Sequence, residues 1–288
     1  MLVCFFLRAV ALEVSRLAGG LIATKNCMIH IKSGDADIAY QVLGTGPPLV
    51  LLHPFPVHHD FWQPVARVLS RYQLILPDLR GHGESGAGEG PATMAKHAAD
   101  IAAILDHEEI GRVPLAGVSI GGYVLFEFWR RYRGRVTALA LMNTKAPPDP
   151  PEAKAGRLQA AADVVERGTE PFFESMVPKL LGKTTRESRP DLVDGALRMM
   201  RKMSAGNVAQ VQRGMAERPD SVPDLKTINV PTLLVTGDED ILTGPPEAEL
   251  MRQHIAGSEL KIIRHAGHYS PWEQSAEAGK LLRQFFDM

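Results

Sequence analysis

Gly117-Val118-Ser119-Ile120-Gly121 sets a serine between two glycines where an apolar run, Val113 to Val118, gives way to a helix-like stretch. A strand that turns sharply into a helix holds the corner residue in a strained backbone conformation, and its neighbours must be small for the two elements to approach. Such a corner, a nucleophile elbow, exposes the Ser119 hydroxyl at the carboxyl edge of a sheet. It also points the N–H of Ile120, at the start of the helix, toward an oxyanion forming on a carbonyl attacked by that hydroxyl. A serine needs a base to take its proton and an acid to orient the base. His268, after Gly267, and the carboxylates Asp238-Glu239-Asp240, after Gly237, supply these types in the chain order serine, acid, histidine. Spacing alone does not separate the three carboxylates. His265 is read as still on the strand that precedes His268, in a core or surface role.

The elements that must position these residues are visible as short apolar runs ended by turn residues. Pro48 to Leu52, Gln73 to Leu79, Val113 to Val118, Val136 to Met142, Pro231 to Val235 and Leu260 to Ile263 read as strands buried on both faces of a parallel sheet. Between them, Trp62 to Arg71, Thr93 to His107, Tyr123 to Tyr132 and Pro246 to His254 are compatible with helices. Met28 to Ile31 and Ala36 to Leu43, across Ser33-Gly34-Asp35, read as an opening hairpin. Alternating strands and helices imply a mostly parallel, doubly wound α/β sheet, whose ligands bind beyond the carboxyl ends of its strands. Ser119, the carboxylate run and His268 all fall at such ends.

His53-Pro54-Phe55-Pro56, Asp78-Leu79-Arg80-Gly81-His82-Gly83-Glu84-Ser85, the elbow, Gly237 to Asp240 and Gly267-His268 together resemble the α/β-hydrolase superfamily from about Met28 to the end of the chain. Within it the chain is most similar to small esterases and lactonases of the 3-oxoadipate enol-lactonase type. The resemblance implies an α/β-hydrolase fold with Ser119 as nucleophile, Asp240 as acid and His268 as base. It also implies two oxyanion donors, the N–H groups of Ile120 and Phe55. Proline carries no amide hydrogen, so Phe55 is the only residue among positions 54 to 56 able to donate. The implied activity is cofactor-free hydrolysis of a small or medium carboxylic ester or lactone through an acyl-enzyme on Ser119. A carbon–carbon bond hydrolase of the meta-cleavage-product type is the enzymatic alternative, and a non-catalytic ligand-binding member of the fold is the other. Epoxide hydrolases and haloalkane dehalogenases of this fold carry aspartate, not serine, at the elbow.

Composition changes between Asn143 and about Asn229. Pro147-Pro148-Asp149-Pro150-Pro151 reads as a linker, followed by short helix-like pieces such as Pro171 to Leu181 and Leu192 to Met203. Residues 145–228 are therefore expected to form a helical cap inserted into a core of residues 28–144 and 229–288. Met176 and Met199 could line an adaptable pocket beneath it, although methionines at helical spacing more often simply fill a core. Tyr269 and Trp272, flanking His268, are candidates by proximity.

Other features carry less chemistry. His58, His59 and Asp60 have metal-ligand side chains, but neighbouring histidines are expected to point in different directions and no second cluster supports them, so no metal site is expected. Gly81-His82-Gly83 lacks the lysine and helix context of a phosphate loop and reads as a turn, with Asp78 and Arg80 serving it structurally. The 288 residues are 45% hydrophobic with a net charge of −1, enough for a large core and without the basic footprint of a nucleic-acid partner. Cys4 and Cys27 lie outside the hydrolase body and indicate neither a disulfide framework nor a thiol nucleophile. Residues 1–27 read as an extension of uncertain structure or a misassigned start, with a weakly membrane-associated amphipathic helix as the alternative. Arg8, Glu13 and Arg16 interrupt the apolar stretch, which falls short of the ~20 residues a spanning helix needs. Stable membrane insertion is not expected, and the expected location is cytoplasmic.

Overall fold

A computed structural model of the protein describes residues 27–287. The N-terminal extension expected from the sequence thus lies outside the described residues, apart from the exposed Cys27. Eight strands form one sheet: β1 (Met28–Ser33), β2 (Ala36–Leu43), β3 (Pro48–Leu52), β4 (Gln73–Pro77), β5 (Val113–Val118), β6 (Val136–Met142), β7 (Thr232–Gly237) and β8 (Glu259–Ile263). Their spatial order is β1-β2-β4-β3-β5-β6-β7-β8. The β1–β2 and β2–β4 pairs are antiparallel, and every pair from β4 to β8 is parallel. The β1–β2 hairpin closes at the Ser33–Ala36 pair, where Gly34 takes φ +56°, a conformation open to glycine at little cost.

The helices are α1 (Gln63–Ala66), α2 (Met94–His107), α3 (Ile120–Tyr132), α4 (Pro151–Arg167), α5 (Glu170–Leu180), α6 (Lys183–Ser188), α7 (Pro190–Met200), α8 (Ala205–Ala216), α9 (Val222–Leu225), α10 (Pro245–His254), α11 (Ser270–Glu273) and α12 (Ser275–Phe286). The central strands are apolar on both faces because helices cover both faces. Leu49, Leu51 and Leu52 of β3, Leu115 and Ala116 of β5 and Leu139 to Met142 of β6 are all buried.

β4 lies on one side of β3 and β5 on the other, so the winding direction of the chain reverses at β3. In open α/β sheets the crevice beyond such a reversal is where ligands bind. Leu52 pairs with Gly117 across β3 and β5, so the chain leaving β3 toward Phe55 and the chain leaving β5 at Ser119 emerge side by side.

Three expectations need correction. The strand read at Leu260 to Ile263 is not buried on both faces: as β8 it lies at the sheet edge with Glu259, Lys261 and Ile262 exposed. The helix expected over Trp62 to Arg71 is confined to Gln63–Ala66. Pro64 starts the helix well, but the following bonds run from Val68 N to Val65 O and from Leu69 N to Ala66 O, the tight three-residue pattern of successive turns. The strand expected to reach Leu79 stops at Pro77. Asp78 N–H still donates to Ala39 O of β2 at 2.9 Å, but its carboxylate accepts from the N–H groups of His59 and Glu84, beyond the strand.

Six helices, α4 to α9, lie between β6 and β7. α4 packs along α8, and this packing is anchored by a buried charge cluster. Asp149 is 3% exposed and accepts from Arg157 Nε and, at 3.0 Å, from Arg218, which is 4% exposed and lies 4.2 Å from the centre of the Tyr123 ring. Lys145 Nζ is 3.6 Å from the same carboxylate. Burial would raise the Asp149 pKa, but the charges and hydrogen bonds of Arg157 and Arg218 outweigh it and lower the pKa to about 2. A depressed carboxylate pKa stabilises the fold fully above the unfolded value of ~3.9, and that stabilisation is lost as pH falls toward 2. Asp149→Asn should therefore cost about 3 kcal/mol near neutral pH, because Arg218 stays buried without its counter-charge. It should also flatten the stability curve between about pH 4 and 2. Urea unfolding across that range checks both; equal stability of variant and parent at pH 7 would show the cluster to be energetically idle.

Candidate active site

Ser119 stands between β5 and α3 with φ 56° and ψ −114°, a strained corner for a residue with a side chain. The glycines around it are there for space. A Cβ on Gly117 would lie 2.5 Å from the Gly121 carbonyl carbon, and one on Gly121 would lie 2.7 Å from the Leu52 carbonyl oxygen. The turn is held by Ser119 N–H donating to Met142 O at 3.0 Å and by the Thr144 hydroxyl donating to Ser119 O at 2.9 Å. The Ser119 hydroxyl makes no cap bond to α3, whose first-turn N–H groups face the elbow.

The carboxylate nearest His268 is that of Asp240. His268 Nδ1 lies 3.0 Å from Asp240 Oδ2 and 3.1 Å from Thr243 Oγ1. The Thr243 hydroxyl proton goes to Asp240 Oδ2, at 2.9 Å, which leaves the Thr243 oxygen and the carboxylate to share the Nδ1 proton. Asp240 Oδ1 accepts the backbone N–H groups of Leu242 and Thr243 at 2.8 and 3.0 Å. Burial would raise the Asp240 pKa, but the charge and hydrogen bond of His268, the Asn143 amide and the Thr243 N–H hold it well below the usual carboxylate range. The carboxylate is thus ionised and fixed, and with Nδ1 directed at it, Nε2 is the ring nitrogen left for other partners.

Asn143, directly after β6, was not singled out from the sequence. Its Nδ2 donates to Asp240 Oδ2 at 2.9 Å and to Gly267 O at 3.2 Å, and its Oδ1 accepts from the Ser270 hydroxyl at 2.5 Å. It is fully buried at φ +43°, a region asparagine enters more readily than other residues with side chains. A polar residue ending an apolar strand beside the elbow was the available signal. Thr243 left no signal of its own beyond following the carboxylates by three positions.

The loop after β3 is equally fixed. Leu79 N–H donates to His53 Nε2 at 2.9 Å, so the His53 proton sits on Nδ1 and is donated to Pro54 O, also at 2.9 Å. Complete burial drives the His53 pKa far below its ordinary value, which keeps the ring neutral. The Tyr269 hydroxyl donates to Phe55 O at 2.9 Å. Among the described residues, no hydrogen bond takes up the Phe55 N–H.

These contacts fix where His268 lies. Gly267 is tied to Asn143 at the end of β6, and Tyr269 to Phe55 beyond β3. β5 lies between β3 and β6 in the sheet, so the two ties of the His268 loop fall on either side of the strand that ends at Ser119.

Of the aromatic and methionine candidates, Tyr269 is fully buried with its ring edge against Phe61, and its polar end secures the Phe55 loop. Trp272 is half-buried, stacks on Phe61 and donates Nε1 to Leu192 O at 3.2 Å. Met199 of α7 is buried, and Met176 of α5 is half-buried against the core. Phe55 packs its ring against His82 and Phe172.

The remaining candidates separate. Glu239 faces Thr184, and Asp238 accepts a long bond, 3.5 Å, from Ala266 N–H. His265 is exposed in the turn after β8 at φ +56°, not on the strand. His58, His59 and Asp60 form the one group among the described residues whose donor atoms could together hold a metal, all within 4.8 Å. Contrary to expectation both rings face Asp60, with His59 Nε2 3.5 Å and His58 Nδ1 3.8 Å from its carboxylate. The Nδ1 atom of each ring is engaged within the protein. His59 Nδ1 lies 2.7 Å from Asp78 Oδ1, and His58 Nδ1 accepts from Asp60 N–H at 3.5 Å. Burial opposes the His59 charge, but the hydrogen bond and charge of Asp78 and the charge of Asp60 raise its pKa, and the ring lies between two carboxylates.

An eight-stranded, mostly parallel sheet wound on both faces, with a serine at a strained elbow, defines the class of protein. Residues 47–275 match the family described as the alpha/beta hydrolase fold, and the chain belongs to that family of hydrolases. It is 27% identical over 243 residues to 3-oxoadipate enol-lactonase 2 of Acinetobacter baylyi, covering 83% of this chain and 89% of that protein. It is 35% identical to a thermophilic esterase of Thermogutta terrifontis, with a TM-score of 0.87 over 91% of this chain and 98% of the other. The enol-lactonase of Burkholderia xenovorans shares the fold, with a TM-score of 0.84 at 23% identity over 90% of this chain and all of the other. Among the described residues no helix is long and apolar enough to cross a membrane.

Proposed function

We propose that this hydrolase cleaves a small or medium carboxylic ester or lactone through an acyl-enzyme on Ser119. His268 Nε2 takes the hydroxyl proton as the oxygen attacks the carbonyl, and Asp240 stabilises the imidazolium through Nδ1–H. The N–H groups of Ile120 and Phe55 receive the oxyanion, and water then resolves the acyl-enzyme with the same base. The observation that carries this reading is the pair of ties that hold residues 267–269 to the segments after β6 and β3, the strands on either side of the β5 elbow. Residues 145–228 serve in it as a cap over the cleft, a role supported by Tyr269 N–H donating to Leu180 O at 3.0 Å, beside the base. The names of the relatives, an enol-lactonase and an esterase, favour ester or lactone substrates. The test is fluorophosphonate labelling of the full chain with mass-spectrometric mapping, beside a panel of p-nitrophenyl esters and lactones. Labelling at Ser119 with turnover of panel members is the expected result; absence of both would overturn the reading.

The Phe55 assignment rests on its backbone and not its ring, which makes it separable. Phe55→Ala keeps the N–H and should alter mainly substrate preference. Phe55→Pro removes the donor and should lower kcat by about 10² to 10³-fold, the usual effect of losing one oxyanion contact. Both variants are compared after circular dichroism and slow fluorophosphonate labelling show that they are folded. Equal turnover by the two would place the second donor elsewhere.

A further inference from the structure

Two carboxylates that the proposed reaction does not use each adjoin one of its members. Glu239 precedes Asp240, and its Oε2 accepts Thr184 N–H at 2.8 Å while its Oε1 accepts the Thr184 hydroxyl. Glu273 is 5% exposed; its Oε2 accepts Gly182 N–H at 2.8 Å and its Oε1 accepts Gly267 N–H at 2.9 Å. Gly267 is the residue before His268. Both carboxylates therefore grip the same short stretch, residues 180–184, between α5 and the start of α6.

The stretch is fitted to the histidine loop backbone against backbone. A Cβ on Gly267 would lie 2.3 Å from Gly182 N and 2.8 Å from Gly182 Cα. A Cβ on Gly182 would lie 2.8 Å from Gly267 N and 2.6 Å from Glu239 Oε2. Neither position has space for a side chain, and the Leu180 carbonyl is bound by Tyr269 N–H on the far side of His268. The chain on both sides of the histidine is thus held by the inserted segment: at Gly267 through Glu273, and at Tyr269 through Leu180. The chain before Asp240 is held through Glu239.

We propose that Glu239 and Glu273 are positioning residues that seat residues 180–184 against the loops of Asp240 and His268, so that acid and base are aligned only with the inserted segment docked. The inference rests on the assignment of Asp240 and His268 proposed above. Glu273 accepts two buried backbone N–H groups, and glutamine there sets a donor against a donor at one end. Glu239 accepts the part-buried Thr184 N–H and hydroxyl, and glutamine there removes the charge that strengthens both bonds. The resulting shift reaches His268 and Asp240 through a single peptide unit, and displacements of about 1 Å near reacting groups cost on the order of 10²-fold in rate.

Glu239→Gln, Glu273→Gln, Thr184→Val and Thr184→Ser are assayed well below the melting temperature of every variant, with active sites counted by fluorophosphonate. The expected result is a fall in kcat per labelled site of about tenfold or more in both glutamine variants, with KM little changed. Thr184→Val should lower kcat in the same sense and Thr184→Ser should restore it, since serine keeps the hydroxyl that Glu239 accepts. Lowered melting temperatures with unchanged kcat per labelled site would show these residues to be structural only and would overturn the proposal. Should Glu273→Gln not fold, the Thr184 pair decides the matter alone: equal kcat for valine and serine overturns it. Failure of the parent chain to label at Ser119 would instead strike at the catalytic assignment on which the proposal rests.

Discussion

Ser119→Ala should lower kcat by roughly 10³ to 10⁶-fold while substrate binding largely survives. The variant is a clean one on structural grounds. Alanine keeps the Cβ, so the strained φ of 56° costs the same in both proteins, and the serine hydroxyl makes no cap bond to the helix that its loss would break. The melting temperature should therefore stay close to that of the parent, with a stability change within about 0.5 kcal/mol. Residual activity should come from the oxyanion donors and from substrate positioning, which do not depend on the hydroxyl. Steady-state kinetics on the best ester or lactone, together with loss of fluorophosphonate labelling, read the outcome. Turnover near that of the parent would remove Ser119 from the reaction.

Asp240→Asn should cost on the order of 10⁴-fold in kcat, because it reverses the histidine tautomer. The geometry dictates which way the new amide sits. Oδ1 is held by the N–H groups of Leu242 and Thr243, at 2.8 and 3.0 Å, so that position must remain an oxygen. The NH₂ group is then forced into the Oδ2 position, facing His268 Nδ1 and the amide of Asn143. A donor there favours a ring with Nδ1 bare and the proton on Nε2, which cannot accept the Ser119 proton. Asp238→Asn should change kcat no more than about twofold, since the Asp238 carboxylate touches Ala266 N–H at 3.5 Å and Arg264 at 3.6 Å but not the histidine. Glu239→Gln should fall between the two. The order of damage is the measurement: Asp238→Asn or Glu239→Gln equal to Asp240→Asn would mean that the acid is misassigned.

Much of the fold was legible in the sequence because it depends on local pattern. Runs such as Leu-Val-Leu-Leu in β3 and Leu-Ala-Leu-Met in β6 are too apolar to face water on either side. The elbow announces itself because only glycine fits at 117 and 121, where backbone carbonyls pass within 2.5 to 2.7 Å of where a Cβ would be. The helices of the insertion were less legible. Pro151–Arg167 buries only Ala161 and Val164, and Ala205–Ala216 owes its burial to packing on α4 and on the loop of Gly81 and Ala92.

The sequence by itself determined the order of strands and turns, the serine at its corner and the availability of a carboxylate run and a histidine at strand ends, because these follow from residue type and short-range sterics. Only the tertiary structure decided which of three adjacent carboxylates meets His268. That choice depends on the turn by which Leu242 and Thr243 rotate the Asp240 side chain toward the histidine loop, while Glu239 turns toward Thr184. It also decided that Asn143 and Phe55, and Gly182 through Glu273, tie that loop down from segments far apart in the chain. Such contacts are made between segments brought together by strand order, and the local pattern of hydrophobic and polar residues carries no record of which segments those will be.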